Sequence, residues 1–143
     1  MGLDQYGMIR NKQIDFKKVY SDKYDPTKDG FVWRKHARLQ TFMAREYAKQ
    51  NPGEDTNAHS GNLNGLGFNG EDHKVLITLD VLRRLEEAIK NDYFDHFASD
   101  GFFWGQQFQE ESAKDYKKQD LAFVKFCKDA LEKKEVIEYS SSW

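Results

Sequence analysis

The chain has 143 residues, with 22 basic and 24 acidic side chains and 15% aromatic residues. One domain suits that length, and a net charge of -2 excludes a chain coated with cations for DNA. The Phe, Tyr and Trp content excludes a disordered chain, and the composition excludes a membrane span, a collagen repeat and a disulfide scaffold.

Residues 5–20 mix apolar and polar positions, and Tyr6, Met8, Ile14, Phe16 and Val19 are candidates for one or two short strands. Residues 21–30, SDKYDPTKDG, read as a turn-rich loop. Pro26 fixes its own φ, Asp25 is biased away from helix, and Gly30 permits a positive φ. Asp25 to Gly30 resembles the first half of a calcium loop. The twelfth position, however, holds His36 in place of a bidentate Glu, and no helix precedes the segment, so it reads as a turn leading into a helix. That helix is predicted over 31–49, where Val32, His36, Leu39, Met43 and Tyr47 recur at spacings of three and four, and Asn51, Pro52 and Gly53 end it.

Residues 51–72 are rich in Gly and Asn, contain no Val or Ile, and predict a long flexible loop. The loop holds a GxGxxG match, Gly65 to Gly70, without the preceding strand and following helix that a dinucleotide site needs. KVLI at 74–77 predicts a short strand and Thr78 an N-cap. Leu82, Leu85 and Ile89 then mark one face of a helix to about Asn91. Residues 92–108, with Gly101 and Gly105 around Phe102, Phe103 and Trp104, read as a strand between two turns. The longest helix is predicted over 109–133. Ala113, Tyr116, Leu121, Val124, Cys127 and Leu131 form its stripe, which Phe123, Phe126 and Ala130 widen. EVIEYSSSW alternates and predicts a last strand inside the sheet, with Trp143 packed. The sum is a single α+β domain over 1–143, about three helices packed with a short, mainly antiparallel sheet.

No catalytic set stands out. His36, His59, His73 and His96 never pair at i+3 or i+4, and Cys127 is distant, so no zinc pattern exists and no metal or cofactor is expected. His36 reads as a half-buried helix residue. Glu86-Glu87 and Glu110-Glu111 point in different directions on a helix and read as solvated faces, and Ser140, Ser141 and Ser142 lack an activating neighbour. A lone cysteine fits a reduced, cytoplasmic setting. MGLDQYGMIR has no basic start followed by an apolar run, so no secretory signal is expected, and Tyr6 stands where a myristoylation motif wants Ser or Thr.

Charge is segregated. Residues 31–45 contain Arg34, Lys35, Arg38 and Arg45 and no acid, whereas residues 92–111 contain Asp92, Asp95, Asp100, Glu110 and Glu111 and no Lys or Arg. Either the two segments pack together and neutralise each other, or a basic helix face edged by Trp33 meets an anionic partner. The candidate binding residues are therefore Trp33, Arg34, Lys35, Arg38 and Arg45, with the arginines near one helical stripe.

The opening MGLDQY, the segment FVWRKHARLQTFM, the segment DGFFWGQQF and the closing EYSSSW together resemble a family of small tailed-phage proteins, in versions from phages of marine cyanobacteria. Members open with MGLDMY, carry a W-R-K-x-N-x-I-H-x-W-F helix and a G-F-F-F-G turn, and end in Y-x-x-S-W. Trp33, Arg34, Lys35, Phe42, Phe103, Gly105, Tyr139, Ser142 and Trp143 match that pattern, while Ala37 and Gln40 replace its Asn and His. The resemblance implies a phage origin and a place in the host cytoplasm. Some members carry an automatic phosphoglycerate kinase label, but such kinases are two-domain enzymes far longer than this chain.

The expectation is a non-enzymatic phage accessory protein that binds a host or phage macromolecule, a protein first of all. The alternative is a small enzyme or binder for a nucleotide or other anionic metabolite, using the basic helix 31–45 with residues 51–72 as a lid. A nucleic-acid partner sits poorly with a pI of about 6.1.

Overall fold

The computed structural model describes residues 4–10, 12–34, 36–50, 74–93 and 106–142, with 37, 106–115 and 142 described by backbone alone. Among them the chain runs β1 (Asp4–Ile9), α1 (Phe16–Val19), α2 (Pro26–Asp29), β2 (Phe31–Arg34), α3 (Ala37–Gln50), β3 (Val75–Ile77), α4 (Leu79–Lys90), α5 (Gln106–Glu132) and β4 (Ile137–Ser142). The strands form one antiparallel sheet in the order β2-β1-β4-β3. This is the α+β class expected from the sequence.

Strand alternation gives the sheet a wet side and a dry side. Gln5 faces Trp33 and Ser141 in register, Gly7 faces Phe31 and Tyr139, and Ile137 faces Ile77. Except for Gly7, whose hydrogen-only side lets others close over it, these positions carry side chains that are almost fully buried. Helices α3, α4 and α5 lie over them and complete one core through Leu39, Met43, Leu82, Leu85, Phe123 and Cys127. The Phe123 ring lies 5.1 Å from the rings of both Phe31 and Trp33. It can do so because residue 7 is glycine: a Cβ there would stand 2.6 Å from the Phe123 ring.

Local signals set several boundaries. The Thr78 hydroxyl accepts from the Val81 amide and starts α4 as expected, and Asp80 adds a favourable charge to its first turn. Asp15 and Asp25 cap α1 and α2 through their carboxylates. The α4 chain ends in an unusual turn, with Asp92 and Tyr93 both left-handed at φ 53° and 55°. For non-glycine residues that geometry costs free energy, and it directs Tyr93 into the core.

The structure corrects the expected elements in places. The helix expected over 31–49 begins only at Ala37, because Phe31 to Arg34 is β2, whose Phe31 and Trp33 alternate inward. Phe16 and Val19 lie in a capped helical turn rather than a strand. The Asp25–Gly30 segment is a helical turn that leads into a strand, with Gly30 at φ 98°. Leu121 is exposed rather than part of the α5 stripe. The 51–72 loop, its glycine motif, Trp143 and most of the 92–108 segment lie outside the described residues. The last three positions of that segment, 106–108, are helical.

Candidate functional site

Five of the packed elements send a polar side chain into the core, and the groups meet near His36. Asp120, on α5, accepts from Trp33 Nε1 at 2.8 Å, from Tyr93 Oη at 2.8 Å and from His36 Nε2 at 2.7 Å. The His36 backbone is clasped by Gln5, whose amide accepts from the His36 amide at 2.9 Å and donates to its carbonyl at 3.0 Å. Gln5 also donates to Tyr139 Oη, which in turn donates to Gln40 Oε1 at 2.7 Å. The His36 ring is stacked on Tyr116 at 4.8 Å and met edge-on by Tyr93 at 5.2 Å. The network thus ties β1, β2, α3, α5 and β4 together.

The electrostatics favour a fixed arrangement. Asp120 accepts from three donors, so the His36 proton sits on Nε2 and Nδ1 is left buried with no partner among the described residues. Burial, then the nearby Asp120 carboxylate, pushes the Tyr93 hydroxyl well above the ordinary tyrosine range, and burial does the same to Tyr139. Both tyrosines keep their protons as donors. His36 and Tyr139 are wholly buried and Asp120 is 2% exposed. A buried carboxylate with three paired donors holds neighbouring elements in register.

The predicted candidates are dispersed by this fold. Trp33 is buried and spends its indole N–H on Asp120, so it does not edge a surface. Arg38 is also buried, contrary to the expected stripe, and its guanidinium donates to the Asp92 carbonyl. That contact meets the acidic segment through backbone, while the Asp92 carboxylate pairs with Lys117 at 3.4 Å. Arg45 is exposed on α3. Arg34 belongs to β2 rather than to a helix, so the described residues of 31–45 form no basic helical stripe. Lys35 lies outside the described residues.

Arg34 is nevertheless placed suggestively. It sits at the edge of the outer sheet face, where its Nε is 3.3 Å from Asp4 and its guanidinium lies 5.5 Å above the Tyr20 ring, with a 2.7 Å hydrogen bond to Tyr20 Oη. Asp4 is in register with both Arg34 and Ser142, so three of the segments that carry the phage resemblance converge at one end of the sheet. Gln40, which stands where the family pattern has His, is buried and holds Tyr139.

Asp120 had a signal that went unread. It lies four residues after Tyr116 and three and four before Phe123 and Val124, so it is a carboxylate on an apolar helical face. Among the described residues, no group of three or more His, Cys, Asp or Glu side chains is placed to hold a metal. No described helix is long and apolar enough to cross a membrane. No protein-family model, curated protein or solved structure matches the chain.

Proposed function

We propose that the protein is a non-enzymatic accessory protein of a tailed phage that acts in the host cytoplasm by binding a host or phage protein. Its contact surface is the Asp4–Arg34–Tyr20 edge of the outer sheet face. The observation that carries this reading is the Arg34–Tyr20 pair. Tyr20 is 66% exposed, yet its hydroxyl and ring are both engaged by Arg34, so two long side chains are held ready before any partner arrives. Tyrosine and arginine are the residue types that most often anchor interfaces. The burial of the His36–Asp120–Tyr93 cluster supports a scaffolding role for it rather than a catalytic one.

The test is capture of partners from infected-host lysate with the parent protein and with a Tyr20→Ala, Arg34→Glu variant. The variant should lose a partner that the parent holds, with an unchanged melting temperature. A partner set identical for both proteins refutes the reading.

A further inference from the structure

A second feature of the outer face lies toward the opposite end of β1. After Ile9 the chain folds back, with the Lys12 amide bonded to the Ile9 carbonyl, and residues 12–16 share a groove with the outer face of β1 and β4. This strap is anchored. The Asp15 amide bonds to the Asp29 carbonyl, and Ile14 packs so closely on Gly30 that a Cβ there would stand 2.6 Å from it. Between strap and sheet runs an open groove of about 430 Å³, in the range of small-molecule sites.

The groove has two chemical characters. Tyr6, Met8 and Phe16 supply an apolar wall, with Tyr6 and Phe16 meeting edge to face at 5.9 Å, and Phe16 is 47% exposed. Lys12 from the strap and Lys74, just before β3, line the groove from separate segments. Neither lysine forms an ion pair among the described residues. Arg10 is already matched by Glu138 at 3.1 Å, so the two lysines carry the uncompensated charge. An aromatic wall in a groove that two lysines also line suits a flat ring that carries an anion.

We infer that this groove is a binding site for a nucleotide, with the base against Phe16 and the phosphate between Lys12 and Lys74. Aromatic side chains take any base through its π-face, and lysines take phosphate as point charges. The occupant is a free mononucleotide or one nucleotide of a single strand, which share this chemistry. The site keeps the small anionic ligand of the sequence analysis but places it away from residues 31–45. Arg34 and Tyr20 do not line it, although its Tyr6 lies within electrostatic range of both.

Calorimetric titration of the full chain tests it, using each of the four ribonucleoside 5′-monophosphates, adenosine, inorganic phosphate and a short oligoadenylate. At least one monophosphate should saturate a single site, with adenosine and phosphate each about tenfold weaker or more. Lys12→Glu with Lys74→Glu, and separately Phe16→Ala, should each weaken that binding about tenfold or more at unchanged melting temperature. If Phe16→Ala lowers the melting temperature, Phe16→Leu keeps the apolar wall and removes only the aromatic face. Tighter binding of the oligonucleotide than of the monophosphate identifies a strand as the source, and equal binding identifies the free nucleotide. The inference is overturned if no monophosphate saturates, if only the oligonucleotide binds, or if binding survives the lysine and Phe16 changes. Partner capture through Arg34 and Tyr20 should not respond to these changes, so each idea can fail alone.

Discussion

Truncating Asp120 to alanine should be among the most damaging single changes near the centre of the molecule. Its carboxylate accepts three hydrogen bonds, from Trp33, His36 and Tyr93, in a place with almost no access to water. Alanine leaves three buried donors without an acceptor, each costing about 1–3 kcal/mol. Relief of the carboxylate's own desolvation offsets part of that sum, so the expected loss is about 3–5 kcal/mol. That is a large share of a typical domain stability of about 5–15 kcal/mol. Asparagine should cost less, about 1–3 kcal/mol. Its oxygen can still serve Trp33, but its amide must donate to His36, which moves the ring proton to Nδ1, where no described residue offers an acceptor. Urea unfolding followed by tryptophan fluorescence measures both. Adding Tyr93→Phe to Asp120→Ala should cost less than the two single changes summed, because one stranded donor is gone. An Asp120→Ala protein within about 0.5 kcal/mol of the parent would refute the reasoning.

Other outcomes are open to measurement. Gly7→Ala should destabilise by about 1–3 kcal/mol through overpacking against Phe123, and Phe123→Leu should recover part of the loss; equal penalties in both backgrounds would contradict this. Tyr93 and Tyr139 have folded-state values raised above the unfolded tyrosine, so their contribution is complete below about pH 10 and fades as pH rises further. In an alkaline titration their phenolate absorbance should appear only together with loss of near-ultraviolet circular dichroism. Burial likewise pushes the Cys127 thiol up, so a thiol reagent should modify it at the rate of unfolding; rapid labelling of the folded protein would count against its placement. Arg34→Glu should change stability by under about 0.5 kcal/mol, whereas Arg38→Glu should unfold the protein, because it buries an acid against the Asp92 carbonyl.

The elements that were legible in the sequence are those whose signal is complete within a few residues. KVLI with Thr78 behind it marks β3 and the start of α4, and the alternation around Tyr139 marks a strand at the sheet centre. The first basic segment was misread because two periods overlap there. Val32 and His36 are four apart, as a helix requires, while Phe31 and Trp33 are two apart, as a strand requires. A four-residue strand offers only two inward positions to decide the matter. Arg38 looked solvent-facing because it is charged, yet every residue from Arg38 to Ala44 is buried. The helix is enclosed by the sheet and α5, so charge does not report exposure on it. Of the Asp120 cluster only Asp120 itself carried a local signal, a carboxylate on an apolar helical face; the grouping could not be read, since its members lie as many as 134 residues apart.

The same separation governs how the protein is made. β1 and β4 are neighbours at the sheet centre, and the Gln5–Tyr139 bond that joins them cannot form until β4 has been synthesised. At about 5–20 residues per second, β1 waits roughly 7–26 seconds on the ribosome with one edge unpaired. Among the described residues β3 has β4 as its only strand neighbour, and it waits too. Neither edge can be blunted by charge, because both must accept β4. Assembly is therefore a late, collective event, and a chain stopped within α5 exposes half a sheet and three apolar helix faces. Such a fragment is a substrate for chaperones and proteases rather than a partly working protein.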